Sequence, residues 1–258
     1  MMSHVVAFEF PPINELLRWK DVWAAGSLNK VGLIAVASAL IGIFIFMSAA
    51  NKNPKVAPTG TRNLAEVAVE FIEDNIIMQT MGRDGLGWTP FLLTLFVFIY
   101  LCNLPGIIPL LQMPATARMA IPMFLALLVW VIFNFSGIKH QGFFTYFKNV
   151  LFPPGVPKAL YILVTPIEFI STLIVRPFSM AVRLFANMLA GHLLLVIFAL
   201  LSEALLQARD KILIPVGILP VFMLLFLTAF EVLVGFLQAY IFTILAAVYI
   251  AGATHPEH

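Results

Sequence analysis

Charge is scarce in this chain. Its 15 basic and 13 acidic side chains amount to 11% of 258 residues, against about a quarter in an ordinary soluble domain. With 61% of the residues apolar and a mean hydropathy of +0.99, a water-soluble globule is excluded. Cysteine is nearly absent too. Cys102 stands alone in an apolar run, so an internal disulfide is impossible and the thiol reads as a small packed hydrophobe. No basic cluster or stripe accompanies the net charge of +2, which argues against a nucleic-acid partner. Neither HExxH nor GxSxG occurs, so an intramembrane hydrolase would lack its metal site or nucleophile. Nor does the second half repeat the first, as inverted-repeat carriers do.

What the chain has instead is long uncharged runs. Val31 to Asn51 and Met119 to Ile138 each reach the roughly 20 residues a helix needs to cross about 30 Å of hydrocarbon. The expected fold is therefore an all-α polytopic membrane protein, a single membrane domain over 1–258 with five spans, at 28–50, 88–111, 119–136, 160–206 and 212–250. The segment 1–27 carries Phe8, Phe10, Trp19 and Trp23 among charged residues and reads as an arm at the headgroup level. It lacks the short apolar core and cleavage site of a signal peptide, so the first span is expected to be retained. Between the first two spans, 62–81 places Glu66, Glu70, Glu73 and Asp74 on one helical stripe, opposite Leu64, Ala65, Ala68, Phe71 and Ile72. That pattern predicts an amphipathic helix on the membrane surface or against a partner, because four acids are costly to carry through the core. Asn103, Pro105, Gly106 and Pro109 are expected to distort the end of the second span, and the short link through Pro114 and Arg118 makes spans two and three an antiparallel hairpin. A polar and aromatic loop at 139–158 carries Pro153, Pro154 and Pro157.

The last hundred residues differ. From Pro177 to Leu206 a helix would run about 45 Å at 1.5 Å per residue, half as long again as the bilayer core, and the final apolar segment is comparable. Both helices are expected to be long and steeply tilted. Lys and Arg divide seven to six between the two sides of this layout, which barely favours an external N-terminus.

These long segments hold the ionisable groups: Glu168, Arg176, Arg183, His192 and Glu203 in the first, Glu231 in the second. Inside a membrane such groups are functional candidates by default. Arg183 is the deepest. At about 100° per residue, Arg176 and Asn187 lie within about 40° of it, while His192 is on the opposite face. On the last helix Glu231, Gln238 and Tyr249 are spaced by 7 and 11 residues and return to nearly one face. Plainer readings stand beside these. Arg176 next to Pro177 fits a snorkelling interfacial charge, Glu203 near a helix end fits a solvated one, Asn187 a helix-packing hydrogen bonder, and Tyr249 an interface aromatic. Arg183 could form a structural ion pair with Glu168 or Glu231. His4, His140, His255 and His258 read as solvated.

The stretch from Arg176 through Arg183 and Asn187 to His192, RPFSMAVRLFANMLAGH, closely resembles the signature of subunit a of the F-type ATP synthases. The later run Leu237 to Phe242, LQAYIF, resembles that family's final-helix motif. The likeness covers about 92–253 by sequence and the remainder by helix pattern. Ala186 stands where many members have Gly. The His192 and Glu231 positions carry an exchanged pair relative to some members, which keeps one acid and one imidazole.

The resemblance implies a stator subunit with no catalytic residues, cofactor or metal of its own, in the plasma membrane of a bacterium, with its N-terminus outside and C-terminus cytoplasmic. It implies two proton half channels against a rotating ring of c subunits, with peripheral-stalk b subunits, the remainder of the synthase and the lipid bilayer as further partners. Arg183 would be the stator arginine facing the ring carboxylates, with Gln238 and Asn187 beside it. His192 and Glu231 would serve the half channel open to the outside, Glu203 would line its mouth, and Glu168, Arg176 and Tyr249 are further lining candidates. A fixed guanidinium is never neutral, so it favours the ionised form of a passing carboxylate and repels protons that would leak straight through. The rival expectation is a proton-coupled secondary transporter. A purely structural anchor has no use for buried charge.

Overall fold

A computed structural model describes residues 30–50, 60–108, 114–152, 157, 160–206 and 214–254. The expected arm 1–27, the turn at 51–58, Pro109, Pro153, Pro154 and the tail histidines His4, His255 and His258 lie outside the described residues. The elements are α1 (Lys30–Ala50), α2 (Thr61–Ile72, running on through a π turn Glu73–Ile77 to Thr80), α3 (Thr89–Asn103), α4 (Ala120–Gln141), α5 (Phe143–Leu151), α6 (Tyr161–Leu206) and α7 (Ile214–Thr254). Among the described residues there is no strand. Five helical stretches among the described residues are long and apolar enough to cross a membrane: Lys30–Ala50, Gly82–Gly106, Ala120–Gln141, Tyr161–Leu206 and Gly217–Thr254. The protein is an all-α polytopic membrane protein whose last two helices are much the longest. At 1.5 Å per residue, the 41 residues of α7 extend about 60 Å, twice the hydrocarbon thickness.

Lipid tails are as apolar as leucine, so burial alone cannot drive these helices together, and close contact through small residues takes its place. On α7 the buried alanines Ala239, Ala246 and Ala253 recur every seven residues, with Ala247 beside them. They meet α6, α3 and α4, where Ala181 and Ala126 are also fully buried. The adjacent seven-residue series, one position earlier, carries the buried Glu231 and Gln238. Large side chains fill the gaps around it: Phe133, Phe242, Leu92, Ile99 and Leu184 are all buried. The opposite faces, with Phe44, Phe135, Ile162 and Leu225, are exposed, as lipid-facing surfaces are.

The amphipathic helix α2 buries the C-terminal part of its apolar face within the chain, while Leu64 near its start is exposed. Ile72, Ile76 and Ile77 have no exposed surface, and Phe71 packs on Phe96, Phe236 and Tyr240 with ring centroids 5.7, 5.7 and 5.9 Å away. The acidic stripe is partly engaged as well. Glu66 pairs with Arg62 at 2.7 Å, and Thr89 donates to Glu73 at 3.0 Å.

Two prolines sit inside the long helices, Pro166 in α6 and Pro220 in α7. A third, Pro177, follows a π turn at Ser171–Val175 that α6 passes through without ending.

Candidate functional site

The centre of the molecule is the contact between α6 and α7. The buried stripe of α6 runs Pro177, Met180, Ala181, Leu184, Met188, His192, at three- and four-residue intervals that keep one face inward. Arg183 and Asn187 fall on the other side and are exposed, so the angular arithmetic that separates Arg183 from His192 describes the structure. Among the described residues Arg183 has no hydrogen bond or ion pair. The structural pairs weighed for it with Glu168 or Glu231 are not made, since Glu168 faces Arg176 instead.

Asn187 reaches round its helix to α7, where its Nδ2 donates to Gln238 Oε1 at 2.7 Å. Gln238 is 2% exposed, and its amide nitrogen has no partner among the described residues. One heptad earlier Glu231 is 4% exposed, and neither carboxylate oxygen has a partner there either. A buried charge in that condition is costly, so it needs another donor or a bound proton. The helices approach closely at this level because residue 191 is glycine. A Cβ there would stand 3.1 Å from Glu231 Oε1, and the next residue along is the buried His192. The seam therefore brings one acid and the residue before the imidazole together, with the Asn187–Gln238 bond two helical turns away on α7.

A second polar group lies where α4, α5, α6 and α7 meet, around a cavity of about 430 Å³ lined by Glu168, Arg176, Tyr249, Tyr146 and Asn149 among others. Arg176 Nη2 is 4.0 Å from Glu168 Oε2, and its guanidinium lies 5.4 Å from the centre of the Tyr249 ring, a cation–π distance. The Tyr146 hydroxyl donates to Asn134 Oδ1 at 3.1 Å. Burial pushes that phenol above its ordinary range, with the Arg176 charge pulling the other way. The predicted residues thus form two groups, one around Glu231 and Gln238 and one around Arg176. Tyr249 belongs with the second rather than with the rest of its stripe. Glu203 is exposed near the end of α6 and joins neither.

Asn103 carries more than the helix distortion expected of it. It is 3% exposed; its Nδ2 donates to Gly235 O at 3.1 Å and its Oδ1 accepts from Thr116 Oγ1 at 2.5 Å. Gly235 lies between Glu231 and Gln238, so this bridge ties the end of α3 and the Ala115–Ala117 turn to α7 at the level of the site. An amide in an otherwise apolar span is the sequence signal for such a bond. Among the described residues no three His, Cys, Asp or Glu side chains cluster to hold a metal ion.

The profile of the family described as ATP synthase A chain matches residues 31–251. The chain is similar to an ATP synthase subunit a of Frankia alni, 44% identical over 93% of this chain and 83% of that one. It is 39% identical to an ATP synthase subunit a of Rhodococcus erythropolis, over 97% and 92%. It is 37% identical to that of Streptomyces lividans, over 98% and 87%.

Proposed function

Since the chain belongs to the ATP synthase A chain family, we propose that it is the stator against which a ring of c subunits turns, guiding protons through two half channels. It is a multi-pass, membrane-sector, proton-translocating subunit of an ATP synthase and not a catalyst by itself. The observation that carries the stator reading is Arg183, a guanidinium on an open helix face with no partner among the described residues, backed by the buried Gln238 and Glu231 and the bond from Asn187 to Gln238. An exposed arginine amid apolar surface is expensive in lipid, and a carboxylate presented by a neighbouring subunit would satisfy it.

In this mechanism a ring carboxylate arriving at Arg183 is held ionised by the fixed charge and gives up its proton. The guanidinium cannot accept that proton, so leakage across the contact is blocked. His192, Glu231, Gln238 and Asn187 form the half channel open to the outside, with Glu203 at its mouth. The unpartnered oxygens of Glu231 support a wet or proton-carrying path there. The cavity bounded by Glu168, Arg176 and Tyr249 serves the other side. Protons must ride the ring between the two paths, and each charge crossing 100 mV supplies about 2.3 kcal/mol. The N-terminus is external and the C-terminus cytoplasmic, in a bacterial plasma membrane, and the b subunits of the peripheral stalk hold the stator still.

The test is co-purification. On a blue-native gel the chain is expected to migrate with a c ring and a soluble ATPase head, and vesicles containing that complex are expected to acidify when given ATP. A chain that migrates without a ring overturns the proposal.

A further inference from the structure

Pro177 sets a hydrogen-bonding problem inside α6. Proline has no N–H, and in a regular α-helix its ring collides with the carbonyl four residues back, here that of Leu173. The helix relieves this with the π turn Ser171–Val175, in which the Arg176 N–H reaches back five residues to Ser171 O. The carbonyl of Thr172 is thereby orphaned twice. Its α-helical donor, the Arg176 N–H, is engaged by Ser171, and its π-helical donor would be residue 177, which has none. Thr172 is 3% exposed, so no bulk water reaches it, and in a membrane an unmade backbone bond must be supplied from within the protein.

The missing donor comes from another helix. Trp130 of α4 donates its indole Nε1–H to Thr172 O at 3.1 Å. A π turn holds one residue more than an α turn, so it rotates all that follows by roughly 100° relative to an unbroken helix. Glu168 lies before the turn; Arg183, on a straight α-helical stretch, lies after it. The competing arrangement is an ordinary proline kink, in which the Arg176 N–H returns to Thr172 and the two flanks shift by one residue against each other.

We propose that Trp130 is a positioning residue for Arg183: its single hydrogen bond selects the π turn and so fixes the azimuth at which α6 presents the guanidinium. The inference rests on the reading of Arg183 as the coupling group, and its test separates the two. Trp130→Phe removes the donor, and replacement of Trp130 by benzothienylalanine removes it while keeping the indole shape. Spin labels at Phe135→Cys on α4 and Leu194→Cys on α6 report the azimuth directly, because both positions are exposed and residue 194 lies eleven residues, close to three full turns, beyond Arg183. The labels are placed in the full chain with Cys102→Ala, and proton uptake is measured in the whole complex. Both Trp130 variants are expected to shift the inter-label distance by several ångström and to lower ATP-driven proton uptake by up to about a hundredfold, the scale on which a misplacement of about 1 Å acts, with the complex still assembled. An unchanged distance overturns the inference, whatever happens to the flux. A shifted distance with unchanged flux overturns the link to Arg183, and Arg183→Ala measured alongside shows whether the coupling reading has failed with it.

Discussion

The side-chain amide of Asn187 donates to Gln238 at 2.7 Å, joining α6 to α7 one helical turn beyond Arg183. Asn187 is exposed and Gln238 buried, so the bond runs from the open face of α6 into the seam and couples the group that meets the outside to the groups that do not.

That bond is measurable as an interaction. Asn187→Ala and Gln238→Ala, singly and together, are expected to show a coupling of about 0.5–2 kcal/mol in a double-mutant cycle on thermal unfolding in detergent. Additive effects would show that the contact contributes nothing to joining the helices.

Arg183→Ala is expected to abolish coupled proton flux while leaving the complex assembled. The side chain has no partner among the described residues, so its removal leaves nothing unpaired within the subunit. ATP synthesis by energised vesicles is the measurement. Synthesis at the normal rate would exclude Arg183 from the coupling step.

Gly191→Ala adds a methyl group 3.1 Å from Glu231 Oε1. Overpacking of this kind costs about 1–3 kcal/mol, and here it displaces the carboxylate rather than an inert side chain. Proton flux is expected to fall several-fold, and Glu231→Asp, which draws the carboxylate back by one methylene, is expected to restore part of it in the double variant. A single variant with full flux would mean that the close approach is incidental.

Asn103→Leu removes both bonds of the bridge from Thr116 to Gly235. It leaves the Thr116 hydroxyl, which has no exposed surface, without its acceptor, a loss of about 1–3 kcal/mol. The melting temperature is expected to drop by several degrees, with a smaller drop for Asn103→Leu combined with Thr116→Val, since the second change removes the stranded hydroxyl. Equal melting temperatures for wild type and single variant would refute the bridge.

The fold class could be read from the sequence because the scarcity of charge is a bulk property that membrane insertion imposes on every span. The opposed faces of Arg183 and His192 could be read because they depend only on the helical period. Contacts between helices could not. Gly235 is 132 residues from Asn103 and Gln238 is 51 from Asn187. In a water-soluble bundle the apolar stripe would show which faces meet, but here lipid-facing Phe135 and buried Phe133 are the same residue type two positions apart, so periodicity does not separate inside from outside. The division of Glu231 and Gln238 from Tyr249 has the same origin, since one stripe on α7 meets different neighbours along its length. The disturbance at Pro177 is not foreseen from the sequence, which reads 160–206 as one uninterrupted helix, and whether a proline there gives a kink or a π turn depends on a donor from another helix.

The bond from Trp130 to Thr172 also limits how this subunit can be rebuilt. A proline in α6 has handed one backbone obligation to α4, so the two helices form a unit of exchange. A chimera that takes α6 from this chain and α4 from a relative lacking a donor at the Trp130 position inherits the obligation without the means to meet it. Transplanting both helices together keeps the two halves of the bargain in one molecule.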